Sequence, residues 1–237
     1  VGDIVRIERK EDSKIRNVPD AKIESELSDL GYSKSGLIQS EAVVFVEGRS
    51  DKIILKEFAQ TLGLNLGDRG IEMVELEGEG NMKEHGRSLV KLLDSFEIPY
   101  LFIVDSHGEE PSNVVHDYVT KINREDADTW WHTRPEYFHA WSKYGIESYL
   151  IEAPDAISSA TDGNQERIEE IIRENDKEPD KAKALGEVYS EIITTLEPNE
   201  IAYKKDTDGR TIARKMDREQ IPEETTEVID MIASLVD

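Results

Sequence analysis

The chain has 237 residues, a formal net charge of −23 and 37% hydrophobic residues. Periodic apolar runs exclude a disordered acidic chain, and the absence of Cys excludes disulfides and thiolate metal sites. No apolar run reaches the length of a membrane-spanning helix, and no signal peptide is visible, so a cytoplasmic protein is expected.

Such acidity predicts a folded core under a carboxylate-rich surface suited to molar salt, where the screening length falls to about 3 Å. The expected source is a halophile. There the charge says little about partners, because the bias is general. The chain opens at Val1 without Met, which suggests an excised piece of a longer protein.

Taken in chain order, Val1–Asn17 starts with apolar and charged residues in alternation, as an edge strand would. Asp20–Leu30 reads as a short helix ending near Gly31, and Ser33–Ala42 as a connector. Ala42 then opens an apolar run, AVVFV, that reads as a buried strand. The helix Asp51–Leu62 follows, with Ser50 able to cap it. Ile71–Leu76 is a second strand, Glu77–Asn81 a Gly-rich turn, and Met82–Phe96 a second helix. Ile98–Asp105 is a third strand, Pro111–Arg124 a helix with Pro in its first turn, and Tyr137–Trp141 a fourth strand. The order β-α-β-α-β-α-β predicts an α/β fold, a four-stranded parallel sheet with helices on both faces. After Gly145 the pattern turns helical: Ile146–Thr161, Gln165–Asn175, Lys181–Leu196, Thr211–Asp217 and Glu223–Val236.

Two of these strands end in acid. The first runs into VEGRSD, with Glu47 and Asp51; the second runs into VDSHGEE, with Asp105, His107 and Glu109. Ligands of open α/β sheets bind at the carboxyl ends of strands, so these acids are expected to share one crevice. Crowded carboxylates repel unless a cation joins them, and oxygen donors suit Mg²⁺ or Mn²⁺. Each motif alone also reads blandly. VEGRSD makes a tight turn with Asp51 in a favourable first helical turn, and a lone Asp at a strand end is common.

The Glu–Gly turn after a first strand and the Asp-x-Asp-like segment after a third resemble the Toprim domain. VVFVEGRSDKIIL, YGIESYLI and the opening VGDIVRIERKEDSKI resemble the OLD branch, in which an ABC-type ATPase precedes a Toprim nuclease. The resemblance covers about Ala42–Leu150. It implies residues 1–40 as an N-terminal linker and edge segment, 41–150 as a Toprim domain and 151–237 as a helical C-terminal region. It implies divalent-metal-dependent cleavage of DNA, an ATPase domain outside this chain as partner, and a homodimer as one assembly. Residue by residue, Glu47 matches the metal-binding or acid/base glutamate, Asp51 the second acid of that motif, Asp105 the first Asp of Asp-x-Asp, and Glu109 the acid that follows. Glu147 matches the glutamate of the IE-x-YL segment.

The second Asp of Asp-x-Asp is His107 here. Imidazole suits Mn²⁺ better than Mg²⁺, and it can also act as a general base. A third reading of this departure is lost activity, which keeps open a catalytically silent Toprim module that binds partners or dimerises. For the cation that steadies phosphate charge, Lys52, Lys204, Lys205, Arg210 and Lys215 are candidates, with Arg210 preferred as catalytic. Glu77–Asn81 lacks the Gly-Lys-Ser/Thr of a nucleotide loop and reads as a turn. Trp130 and Trp131 read as packing rather than base stacking.

Overall fold

The computed structural model describes residues 5–7, 15–17, 34–123, 132–192 and 203–237. Strands β1 (Val5–Ile7) and β2 (Ile15–Asn17) pair antiparallel in a sheet of their own. Helix α1 (Lys34–Ile38) stands inside the segment expected to be a plain connector. The expected helix Asp20–Leu30 and the Trp130–Trp131 pair lie outside the described residues.

The central sheet contains β3 (Ala42–Val46), β4 (Ile71–Glu75), β5 (Tyr100–Val104) and β6 (Phe138–Ala140), all parallel, in the order β4-β3-β5-β6. Every residue of β3 and β5 is buried, as continuous apolar runs require when both faces are covered. Their side chains alternate between two cores. Ala42, Val44, Val46, Leu101 and Ile103 face one, and Val43, Phe45, Tyr100, Phe102 and Val104 the other. On the second face Phe45, Phe102 and Phe138 are neighbours in register, and their rings stack with centroids 4.6 and 4.8 Å apart.

Helices α3 (Glu79–Phe96) and α4 (Pro111–Asn123) cover that second face. Helix α2 (Arg49–Thr61) covers the first, together with the C-terminal helices: α5 (Glu147–Leu150), α6 (Pro154–Thr161), α7 (Gln165–Glu174), α8 (Lys181–Ile192), α9 (Arg210–Lys215) and α10 (Glu223–Ser234). None of the described helices is long and apolar enough to cross a membrane.

Three local expectations are corrected. The run Ile146–Thr161 is two helices, because Pro154 lacks an amide and its ring would clash with the carbonyl one turn back; it opens α6 instead. Gly48, rather than Ser50, is the N-cap of α2, and its amide donates to Asp51 Oδ2 at 2.8 Å. The turn before α3 is shorter than expected. Glu77 and Gly78 both take positive φ (55° and 108°), which reverses the chain early enough for the helix to start at Glu79.

Candidate metal centre

β3 and β5 are hydrogen-bonded neighbours, with Val46 in register with Ile103. The connection from β3 leads to one side of the sheet and that from β5 to the other. Their carboxyl ends therefore form the switch point of the sheet, where the diverging loops open a crevice. Glu47 leaves the end of β3 and Asp105 the end of β5 directly into it.

Glu47 is buried, and both donors to its Oε1 are fixed. The Asp105 amide donates at 3.1 Å and the Tyr118 hydroxyl, from α4, at 2.8 Å. With Oε1 occupied, Oε2 turns toward His107, whose Nε2 lies 3.9 Å away. Donor atoms of Glu47, Asp105 and His107 all lie within 4.8 Å of one another. His107 has φ 51° and Gly108 φ 83°, so the chain folds back at once after Asp105. Histidine is among the few side chains that tolerate that region. The His107 amide donates to the Tyr144 carbonyl at 3.0 Å, and its exposed ring meets the Tyr144 ring edge-on.

Two further acids border the cluster. Asp51 is buried on α2, and its carboxyl is pushed up to about 7, by burial first and then by the charges of Glu147 and Glu47. Asp105 is raised well above 3.8 by burial and by Asp51, Glu47 and Glu147. Four carboxylates thus crowd a space too dry to ionise all of them without a counter-charge. Glu147, buried at the start of α5, has Lys205 Nζ 3.2 Å from its Oε1, yet that oxygen has no hydrogen-bond partner. A divalent cation fits this donor set. It would find a buried Glu147 oxygen held by the Lys205 ion pair alone, an oriented Glu47 Oε2, and the carboxyls of Asp51 and Asp105 raised by burial and by their neighbours' charge.

The other expected residues lie differently. Glu109 is exposed, past the turn. Arg210 Nε donates to Glu57 Oε1 at 2.6 Å, and Arg214 joins the same carboxylate. Burial pulls Glu57 upward, but the hydrogen bonds from Arg214 and Arg210 hold it below its usual range. Arg210 lines a cleft of about 630 Å³ with Lys56, Gln60 and Asn65, and no acid of the cluster lines that cleft. The cation whose charge reaches Asp51 and Asp105 is Lys205.

Two contributors were missed in the sequence, and a third, Lys205, was one of five candidate cations. Tyr118 reads there as one more apolar helix position. Gly145 packs so tightly on Asp105 that a Cβ would stand 2.8 Å from Oδ2; the glycine of YGIESYL was its only trace. Lys205 was visible in the basic run Lys204–Arg210 but not distinguishable from its neighbours.

The family profile described as "Overcoming lysogenization defect protein-like, TOPRIM domain" matches residues 39–106. No curated protein matches the sequence. Among solved structures, the C-terminal region of the Burkholderia pseudomallei OLD protein is similar with a TM-score of 0.53 and 15% identity, over 84% of this chain and 99% of that one. The C-terminal region of the Xanthomonas campestris pv. campestris OLD protein gives 0.52 and 14%, over 83% and 96%. At such identity the likeness is one of fold. Residues 39–106 thus match the OLD-like Toprim domain, and the chain has the α/β fold seen in OLD C-terminal regions.

Proposed function

We propose that this chain is the nuclease part of an OLD-like protein and hydrolyses phosphodiester bonds of DNA with Mn²⁺ or Mg²⁺. The observation that carries this reading is the convergence of Glu47, Asp105 and His107 within 4.8 Å at a sheet switch point, against the buried acids Asp51 and Glu147. A bound divalent cation would polarise the phosphodiester and make water more acidic. Glu47 would bind it through Oε2, since Oε1 already holds two hydrogen bonds. Asp105 and His107 would bind it beside Glu47, and Asp51 and Glu147 would add to the site directly or through water. An imidazole among oxygens favours Mn²⁺ over Mg²⁺.

Left off the metal, His107 Nε2, exposed and 3.9 Å from Glu47 Oε2, would instead take a proton from an attacking water. For the cation that faces phosphate charge this reading takes Lys205, whose ion pair with Glu147 lies at the cluster, over Arg210, whose ion pair with Glu57 lies away from it. The proposed assembly includes an ABC-type ATPase domain and working conditions of high salt.

The test is plasmid cleavage in high salt with Mn²⁺, Mg²⁺ or a chelator, beside Glu47→Ala. Cleavage should need metal and vanish in the variant while the fold persists. Cleavage by Glu47→Ala, or with chelator present, would refute the site. The rival reading, a silent module, rests on His107 in place of an aspartate. It requires that millimolar Mn²⁺ leave the melting temperature unmoved. A real site should raise it by about 5–10 °C at a hundred times Kd.

A further inference from the structure

Glu224 sits on the last helix, α10, distant in sequence from every acid of the centre. Its carboxylate is 19% exposed and receives donors from a single stretch of chain. Oε1 accepts the Ser142 amide at 2.8 Å and faces His139 Nε2 at 3.2 Å. Oε2 accepts the hydroxyls of Ser142 and Tyr149. Only an ionised carboxylate, an acceptor at both oxygens, satisfies all of these at once.

The stretch so held is the one that packs against the centre. The Lys143 carbonyl accepts Ser106 Oγ at 2.6 Å, and the Tyr144 carbonyl accepts the His107 amide at 3.0 Å. Gly145 abuts the Asp105 carboxyl. Helix α5 follows at once and carries Glu147 on the same turn as Tyr149. Residues 142–150 thus touch Asp105 and His107 from outside and supply Glu147, and their anchor on α10 is Glu224.

We infer that Glu224 is a positioning residue for the metal centre: through Ser142 and Tyr149 it holds the 142–150 segment that shapes Asp105 and His107 and presents Glu147. This rests on the metal-centre reading above. It assigns the C-terminal helix a part in the site that none of its residues touches. Partners beyond the ligand shell tune affinity by fixing ligand orientation, and a shift of a few tenths of an ångström at Gly145 reaches Asp105 directly.

The test uses the full chain with Glu224→Ala, and Ser142→Ala as a milder variant should the first not fold. Two quantities are read: amide hydrogen exchange at His107 against Val44 in the sheet centre, and the Mn²⁺ dissociation constant. The His107 amide should exchange about tenfold faster, the equivalent of one lost hydrogen bond, with Val44 unchanged. Mn²⁺ should bind about 10- to 100-fold more weakly. Ser142→Ala should move both in the same direction by less. A His107 amide no faster relative to Val44, or an unchanged Mn²⁺ constant, overturns the inference. Should the unaltered protein take up no Mn²⁺, the metal reading fails, and the exchange comparison alone then decides whether Glu224 holds the segment.

Discussion

Glu47 Oε1 takes hydrogen bonds from both the Asp105 amide and the Tyr118 hydroxyl, which leaves Oε2 as the only free acceptor of that carboxylate. Tyr118→Phe removes one of the two. It is expected to weaken Mn²⁺ binding about tenfold and to lower stability in urea by about 1–2 kcal/mol; an unchanged Mn²⁺ constant would show that the amide suffices to aim Oε2. His107→Asp is the complementary change. Aspartate tolerates the left-handed backbone of that position, so the fold should hold, and cleavage with Mg²⁺ should rise if the position is a ligand. A fall would give the imidazole its own role in proton transfer. Glu47 and Asp105 were legible as candidates because each ends an apolar β-branched run and is followed by Gly or a small polar residue. Tyr118 was not, because a buried tyrosine hydroxyl and a packing tyrosine look the same until the acceptor is placed.

Between elements, the decisive contact is Gly145 against Asp105. Gly145→Ala would put a methyl 2.8 Å from Oδ2 and force the carboxylate aside. The expected result is a loss of Mn²⁺ affinity larger than the loss of melting temperature can explain. Gly186→Ala, whose Cβ meets nothing within 4 Å, serves as control. It lies in the interior of α8 and should leave binding alone while stabilising the chain by about 0.5–1 kcal/mol. Equal metal binding in the two variants would remove Gly145 from the site. The elements themselves were largely readable from period and punctuation. The break at Pro154 was overlooked because the apolar spacing on either side continues smoothly. The start of α3 was misplaced because nothing in EGEGN marks which two residues adopt positive φ.

Over the whole molecule, charge sets the response to pH. Asp51 holds its proton up to about 7 in the fold, against 3.8 ordinarily, and Asp105 is raised in the same sense. Between about pH 4 and 7 the folded state therefore keeps protons that the unfolded chain releases, so metal-free stability falls as pH rises through that window. Glu224 acts oppositely. Burial pulls it up, but the hydrogen bonds of His139, Ser142 and Tyr149 hold it at about 2, so its contribution is present above about 4.5 and is lost as pH falls toward 2. Thermal melts of the metal-free chain should peak near pH 4–5. Asp51→Asn should flatten the alkaline side, as should Mn²⁺, which competes with the same protons. A slope untouched by either would mean that the cluster does not govern it.

The sequence by itself determined the alternation of strands and helices, the parallel sheet and the delivery of acids to strand ends, since these follow from local periodicity and from the chain direction of parallel strands. Only the tertiary structure decided which groups surround those acids. Tyr118, Gly145 and Lys205 reach the acids from distant parts of the chain, Glu224 acts on them through the segment 142–150, and Arg210 is held at Glu57. Such meetings depend on how helices seat on a sheet, through burial and charge pairing across long stretches of chain, and no spacing within the sequence encodes them.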